Sequence, residues 1–391
     1  MKILMLSHGY PPVISGVTLV VQKVAREMVR RGHDVTVVTA SNRGPGYRDE
    51  DHGVRLIRVH SAPNPFWSEG RLPVLSYNQL KEIVAEVKPD IINTHDGALL
   101  SMHLPRLERE KGHVPELMTC HYLPHFVTYY VHAGRVVEKA VEGIAWDMTM
   151  PMLNSLDHVV FPTRTQQQAF VEQGLKRPST VISNGLDISR YSPKGPADKE
   201  LEARYALPAG PRILFVGRLA KDKKLDVLIR AMPPIWSAHR GHLILVGRGD
   251  ARPQLTELAE SLGLRDSVHF LGFVPEEDLP GLYRQCDIFA IASDVEVQSI
   301  PTLQAAATGL PIVAANAAAL PELVEEDTNG FLVPPDDPSA MARAFHHILD
   351  GQELAARMGG ASLDIGRRHA EQNTFDAYEN LYRMYGQKAA A

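Results

Sequence analysis

The residues whose types and spacing suit chemistry gather between Ser293 and Val324, in the run SDVEVQSIPTLQAAATGLPIVAANAAALPELV. Glu296 stands eight positions before Gln304, and a Gly-Leu-Pro turn follows both. A loop that ends in a helix N-terminus presents free backbone N–H groups and a positive dipole end, which suits a phosphate or a sugar hydroxyl. The spacing places Glu296 in that loop and Gln304 about two turns into the helix, with Ser299 and Ile300 between them as further donor-binding candidates. One group would then address a sugar and the other a ribose. A carboxylate binds sugar hydroxyls through two oxygens and stabilises positive charge as a sugar ring becomes oxocarbenium-like. Taken in isolation, the same pair also reads as a surface acid and a solvated helical glutamine.

Other stretches supply the complementary charges. In GRLAKDKKLDVLI, Arg218 is expected at a strand end and Lys223 near the following helix start. Two cations at a strand terminus would neutralise a diphosphate leaving group, although a solvated basic turn explains the same residues. Lys224 is the less favoured substitute for Lys223. Gly16, in HGYPPVISGV, would let a phosphate approach the backbone, or simply form a βα turn. His121, in MTCHY, follows a predicted strand and by itself reads as a satisfied core histidine. His95 and Asp96 end the preceding strand, and with Tyr122 they are candidates for the acceptor side.

The run from Glu296 through GLPIVAANAAALPELVEEDTNGFLVPPDD (Gly309–Asp337) resembles the E-x7-E signature of retaining group 1 glycosyltransferases, family 4. Gln304 replaces the second acid of that signature, and Ser299 stands where many relatives carry Gly. The resemblance implies a GT-B fold and a nucleotide-diphosphate sugar as co-substrate, here a hexose donor such as UDP-glucose. It implies that the loop at Gly16 closes over the donor diphosphate and that Arg218 and Lys223 hold it, through a G-R-L-x-x-x-K match. Through a T-x-H match, His121 would face the donor sugar. Glu296 would position that sugar, Gln304 would sit at the ribose, and retention would follow from same-face attack. No metal or other cofactor is implied, and no Cys/His cluster has ligand spacing.

Leu117–Gly174 is similar to the corresponding region of diacylglycerol glucosyltransferases. The resemblance implies a lipid acceptor, with Phe126, Tyr129, Tyr130, Val131 and Trp146 at acyl chains and His125, His132, Arg135 and Lys139 near headgroups. A helix packed in the first domain accounts for the same residues. A mannosyl donor with a soluble acceptor, a GT-B epimerase and a weakly active binding subunit remain as alternatives.

Strand and helix patterns alternate twice along the chain, predicting an α/β fold with two Rossmann-like doubly wound domains facing across a cleft. The length of 391 residues also suggests two domains. The expected boundaries are 1–190, 191–373 and 374–391; the resemblance implies an acceptor domain, a nucleotide-sugar domain and a helix crossing back to the first domain. The net charge of −5 is uneven: residues 1–190 hold 21 Lys and Arg against 19 Asp and Glu, and the rest hold 20 against 27. A mildly basic first half suits an anionic membrane surface, while the lack of a basic cluster interleaved with aromatics argues against nucleic acid. Two distant cysteines, Cys120 and Cys286, suit a reducing cytoplasm. No apolar run reaches the roughly 18 residues of a membrane span, so any membrane contact is expected to be peripheral.

Overall fold

A computed structural model describes residues 1–13, 15–64, 71–95, 100, 103–111, 113–124, 135–193 and 199–388. The chain divides into two compact units, one of Met1–Asn184 with Gln372–Ala391 and one of Gly185–Glu371.

Among the described residues the first unit has ten strands: β1 (Lys2–Ser7), β2 (Asp34–Ala40), β3 (Tyr47–Asp51), β4 (Val54–Val59), β5 (Ser61–Pro63), β6 (Arg71–Pro73), β7 (Ile91–His95), β8 (Glu116–Thr119), β9 (His158–Phe161) and β10 (Ser179–Val181). Eight of them form one sheet in the order β10-β9-β8-β7-β1-β2-β4-β3, parallel except for β3. Strand β1 shows why the sheet is central: Ile3 and Met5 pack into one apolar cluster, Leu4 and Leu6 into another on the opposite face. Each such fully buried side chain contributes about 1.5–3 kcal/mol before entropy is counted. Helix Gly16–Arg30 covers the first face with Val20, Val21, Val24 and Met28, and Tyr77–Val87 covers the second with Leu80, Ile83 and Val84. Ser15 and Thr18 form a reciprocal capping box that starts the first of these helices. Helix Glu371–Lys388 returns to the same unit and adds Phe375, Tyr378, Leu381 and Tyr382 to the first face.

Strand β3 escapes the sequence pattern because YRDED has no apolar face; it is a charged antiparallel edge strand. It carries a D-x-D spacing, Asp49 and Asp51, of the kind that can hold a metal, where none is expected from the sequence. Asp51 is occupied by Tyr10, Gln22 and Arg26, and Asp49 lies 3.6 Å from the Arg58 guanidinium.

Among its described residues the second unit has six parallel strands, β11 (Arg212–Val216), β12 (His242–Val246), β13 (Val268–Gly272), β14 (Ile288–Ile291), β15 (Ile312–Ala315) and β16 (Gly330–Val333). Their order, β13-β12-β11-β14-β15-β16, is the doubly wound 3-2-1-4-5-6 arrangement. In such sheets the order reverses between the first and fourth strands, here β11 and β14, and ligands bind beyond the carboxyl ends of the strands there. The first unit has the same reversal between β1 and β7. Both reversals gather the residues that the sequence singles out.

Candidate active site

Beyond β11 the chain enters Gly217-Arg218-Leu219 and then a 3-10 turn at Lys221–Lys223. Gly217 N donates to Val246 O and Leu219 N to Arg248 O, so this loop lies directly against the one after β12. Gly247 makes that approach possible: its φ is +131°, and a Cβ there would sit 1.9 Å from Gly217 O. The turn is also tied to the loop after β14, where Ser293 Oγ donates to Asp222 O at 3.0 Å. Ala319 N bonds the Glu296 carbonyl at 3.1 Å from the third side. The loop bearing Glu296 is therefore held before any ligand arrives, which lowers the reorganisation a reaction would require.

Those ties bring four charged side chains together. Lys223 Nζ lies 2.6 Å from Glu296 Oε1 and 3.4 Å from Asp222 Oδ2, while Asp222 Oδ1 accepts from Arg218 at 3.1 Å. Burial pushes the Lys223 ammonium down, but the charges of Glu296 and Asp222 outweigh it and hold the pKa above its ordinary value. The Arg218 side chain is half exposed, so its guanidinium reaches solvent at the carboxyl edge of the sheet. Lys224 goes elsewhere, to Asp336 at 3.0 Å and Asp294 at 3.6 Å. Asp222 is the member of this group that sequence reasoning missed; it lies inside the very turn that supplied Lys223.

Ser299 is the N-cap of helix Ile300–Thr308, accepting from Thr302 N and from the Thr302 hydroxyl. Its φ of −75° requires no glycine, so serine serves here as an ordinary helix cap. Ile300 is the first helical residue and is half-buried.

Gln304, expected at a ribose, is engaged by two tyrosines of the same unit. Its Oε1 accepts from the Tyr283 hydroxyl at 2.9 Å, and its Nε2 donates to the Tyr191 hydroxyl at 2.8 Å. Both ends of the carboxamide are thus engaged within the core, where Tyr191 and Tyr283 also meet edge to face. Tyr191 in turn donates to Glu276 at 3.1 Å. A carboxylate at 304 would lose its donor role and place a charge between two buried phenols. Gln304→Glu is therefore expected to destabilise the fold by about 1–3 kcal/mol. Urea unfolding measures this, and an unchanged midpoint would contradict the packing role.

In the first unit, the reversal between β1 and β7 opens a cavity of about 200 Å³ lined by Ser7, His8, Ser15, Thr18, Arg71 and His95 among others. Gly16, next to the Ser15 cap, has nothing within 4 Å of an added Cβ, so the helix N-terminus is sterically open there. Arg71 bonds the hydroxyl and carbonyl of Ser61 at 2.7 and 2.8 Å, and both partners are neutral. Sequence reasoning passed over both His8 and Arg71; Arg71 starts strand β6, whose three residues have too short a pattern to read.

His95 and His121 come together as a stacked pair with their rings 5.5 Å apart and His95 Nδ1 3.2 Å from His121 Nε2. Behind them His95 Nε2 faces Asn93 Nδ2 at 3.2 Å, and Asn93 Nδ2 donates to the Tyr382 hydroxyl at 2.7 Å. The C-terminal helix thereby supports the His pair. Tyr122 contributes its carbonyl, which accepts from Gln166. Asp96 lies outside the described residues, as do His125, Phe126, Tyr129, Tyr130, Val131 and His132.

Burial pushes His121 and His8 down to about 4, and burial together with the neighbouring His121 holds His95 well below its ordinary value. All three are neutral at pH 7. Between about pH 6.5 and pH 4 the unfolded chain binds protons that the folded chain refuses. Stability is then complete above the unfolded pKa and falls as the pH drops through that window, by up to roughly 3 kcal/mol per fully buried group. Urea midpoints at pH 7 and pH 5 should differ accordingly, and equal midpoints would rule out neutral burial.

Trp146, expected at an acyl chain, is instead buried against Phe170 with the rings 4.9 Å apart and edge to face. Among the described residues no helix is long and apolar enough to cross a membrane.

Residues 199–363 match the family described as glycosyl transferases group 1, and residues 14–190 match glycosyltransferase family 4. A D-inositol 3-phosphate glycosyltransferase of Corynebacterium diphtheriae is 27% identical across 96% of this chain and 90% of its own length. Among solved structures, sucrose-phosphate synthase of Thermosynechococcus elongatus superposes with a TM-score of 0.82 at 22% identity, covering all of both chains. The Anabaena protein HepE in complex with UDP-glucose gives 0.76 at 22% identity, over 97% of this chain and 99% of its own. The fold shared with these structures is GT-B, with two Rossmann-like domains.

Proposed function

We propose, for a chain that belongs to the group 1 glycosyltransferases, a retaining hexosyl transfer from a uridine diphosphate sugar to a hydroxyl of a small phosphorylated polyol. The enzyme is a glycosyltransferase using a nucleotide sugar; the donor, the stereochemistry and the acceptor are the proposed part. The observation that carries the proposal is the Arg218–Asp222–Lys223–Glu296 group at the β11/β14 reversal. Arg218 and Lys223 would neutralise the diphosphate as the bond to the anomeric carbon breaks. Glu296 would bind the sugar hydroxyls and favour the positive ring. The acceptor hydroxyl would attack from the face the diphosphate leaves, giving its proton to a diphosphate oxygen. Lys223 would then share its charge between Glu296 and the incoming phosphates. With Gln304 engaged by two tyrosines, no ribose contact is assigned to it.

Two observations support a phosphorylated acceptor. Arg71 faces the first unit's cavity with only neutral Ser61 groups bonded to its guanidinium among the described residues. The Corynebacterium relative also carries inositol 3-phosphate in its name. A second reading, a lipid acceptor, is favoured by a different feature. Val137, Ile144 and Met148 are exposed along helix Arg135–Leu153 at positions that share one side, and Lys139 is exposed on the same helix.

Both readings meet one experiment. Radiolabelled UDP-hexoses and GDP-mannose are offered with inositol phosphate, free inositol or diacylglycerol vesicles, each with and without excess EDTA. Transfer from a UDP-hexose to inositol phosphate, undiminished by EDTA, is the expected result, because the two cations would take the place of a metal at the diphosphate. Label appearing only in diacylglycerol would establish the second reading. Activity lost to EDTA and restored by magnesium or manganese would refute the metal-free mechanism.

A further inference from the structure

Helix Leu225–His239 begins beside Lys223 and ends roughly 22 Å away, at 1.5 Å per residue. Its last residue, His239, therefore lies at the opposite end from the Arg218–Glu296 group, and it packs there against helix Pro338–Asp350. That second helix presents His346 and Asp350, four residues apart and so on one face. His239 Nε2 lies 2.9 Å from His346 Nδ1 and 3.6 Å from Asp350 Oδ1. One ligand atom from each of the three residues lies within 4.8 Å of the others.

We propose that His239, His346 and Asp350 form a binding site for a divalent transition-metal ion of the zinc type, remote from the transfer site. Metal–nitrogen bonds of about 2.0–2.1 Å and metal–oxygen bonds of about 2.0–2.2 Å at tetrahedral angles put ligand atoms roughly 3.3–3.5 Å apart. The observed 2.9 and 3.6 Å bracket that spacing, so side-chain adjustments of a few tenths of an ångström complete the site. Hydrogen bonding alone serves the cluster less well. One proton satisfies the pair of imidazoles, and the carboxylate at 3.6 Å is then too far for a hydrogen bond. A cation engages all three lone pairs at once. Both helices end here, so their negative dipole ends also favour a cation. The nearby positive charge of Arg240 is partly turned aside, with its guanidinium 5.0 Å over the Trp236 ring. Two imidazoles and one carboxylate suit zinc or cobalt better than magnesium or calcium, and solvent would fill the fourth position. Joining the two helices would stabilise the folded second unit.

The test uses the full chain, freed of metal by EDTA and dialysis, and titrated with zinc or with cobalt(II) as a spectroscopic probe. Expected are one tight equivalent per chain at micromolar zinc, visible cobalt absorption of a four- or five-coordinate site, and a raised Tm. His346→Ala should lower the affinity by at least the about 10- to 100-fold that loss of a supporting partner alone costs. Asp350→Asn, an exposed change that leaves packing intact, should weaken binding and shift the cobalt spectrum while the apo Tm stays unchanged. Glycosyl transfer at a temperature where both forms are folded should not depend on zinc. No saturable binding at micromolar zinc would overturn the proposal. So would His346→Ala and Asp350→Asn proteins that both bind like the parent, since the metal would then sit at another histidine pair such as His242 and His269, 3.0 Å apart.

Discussion

Replacing Glu296 by alanine is expected to lower kcat by about 10²–10³-fold, with a much smaller change in the donor KM. The expectation follows from where the carboxylate is held and when its charge counts. Its loop is fixed by Ser293 Oγ to Asp222 O and by Ala319 N to Glu296 O, so the group cannot drift toward solvent between turnovers. In the proposed role its interaction with a sugar would strengthen as the anomeric carbon becomes positive, and an interaction of that kind lowers the barrier without tightening the ground state. Initial rates over a donor series give both parameters. A variant that loses donor affinity but keeps kcat would reassign Glu296 to plain ground-state binding. Gln304→Ala, by contrast, should act mainly on stability, because Tyr191 and Tyr283 are its partners.

Lys223→Met should lower kcat/KM by about 10²–10³-fold, because a diphosphate leaving group would lose one of its two preorganised cations. It should also destabilise the second unit. Lys223 and Glu296 are 19% and 13% exposed, so removing the lysine leaves a largely buried carboxylate without its 2.6 Å partner. Complete burial would cost about 3–5 kcal/mol; the residual exposure and the water it admits reduce this to about 1–3 kcal/mol. The double variant Lys223→Met/Glu296→Gln separates the two effects. It should recover much of the stability, since no unpaired charge remains, and none of the activity. Recovery of neither property would mean that the pair is not coupled, and recovery of activity would exclude the diphosphate role.

The alternation of apolar strands and amphipathic helices made the Rossmann-like class legible before any coordinates. Buried parallel strands such as Ile3–Leu6 and Ile213–Phe215 are continuous apolar runs, and the helices between them carry an apolar stripe. The caps at Ser15 and Ser76, each a reciprocal capping box, are local features that the structure brought out. Strand β3 could not be read, because YRDED owes its place to pairing with β4 and not to an apolar face. Trp146 is expected at acyl chains only through the resemblance of Leu117–Gly174 to lipid glucosyltransferases, and Phe170, twenty-four residues on, packs against it instead.

The residue types of the candidate site were set by the sequence itself: an acid at 296, cations at 218 and 223, histidines at 95 and 121. Those identities and their place after strands follow from local patterns, which a single chain carries in full. Partnership was decided only by tertiary structure. Lys223 meets Glu296 across 73 positions because β11 and β14 are neighbours in the sheet. His95 is supported from Tyr382 through Asn93 because the last helix returns to the first unit. Gln304 finds its partner in Tyr191, 113 positions earlier, because the two fold against each other. The reason is the same in each case: hydrogen bonds and ion pairs form over about 3 Å, and only the packing of distant elements brings side chains that close.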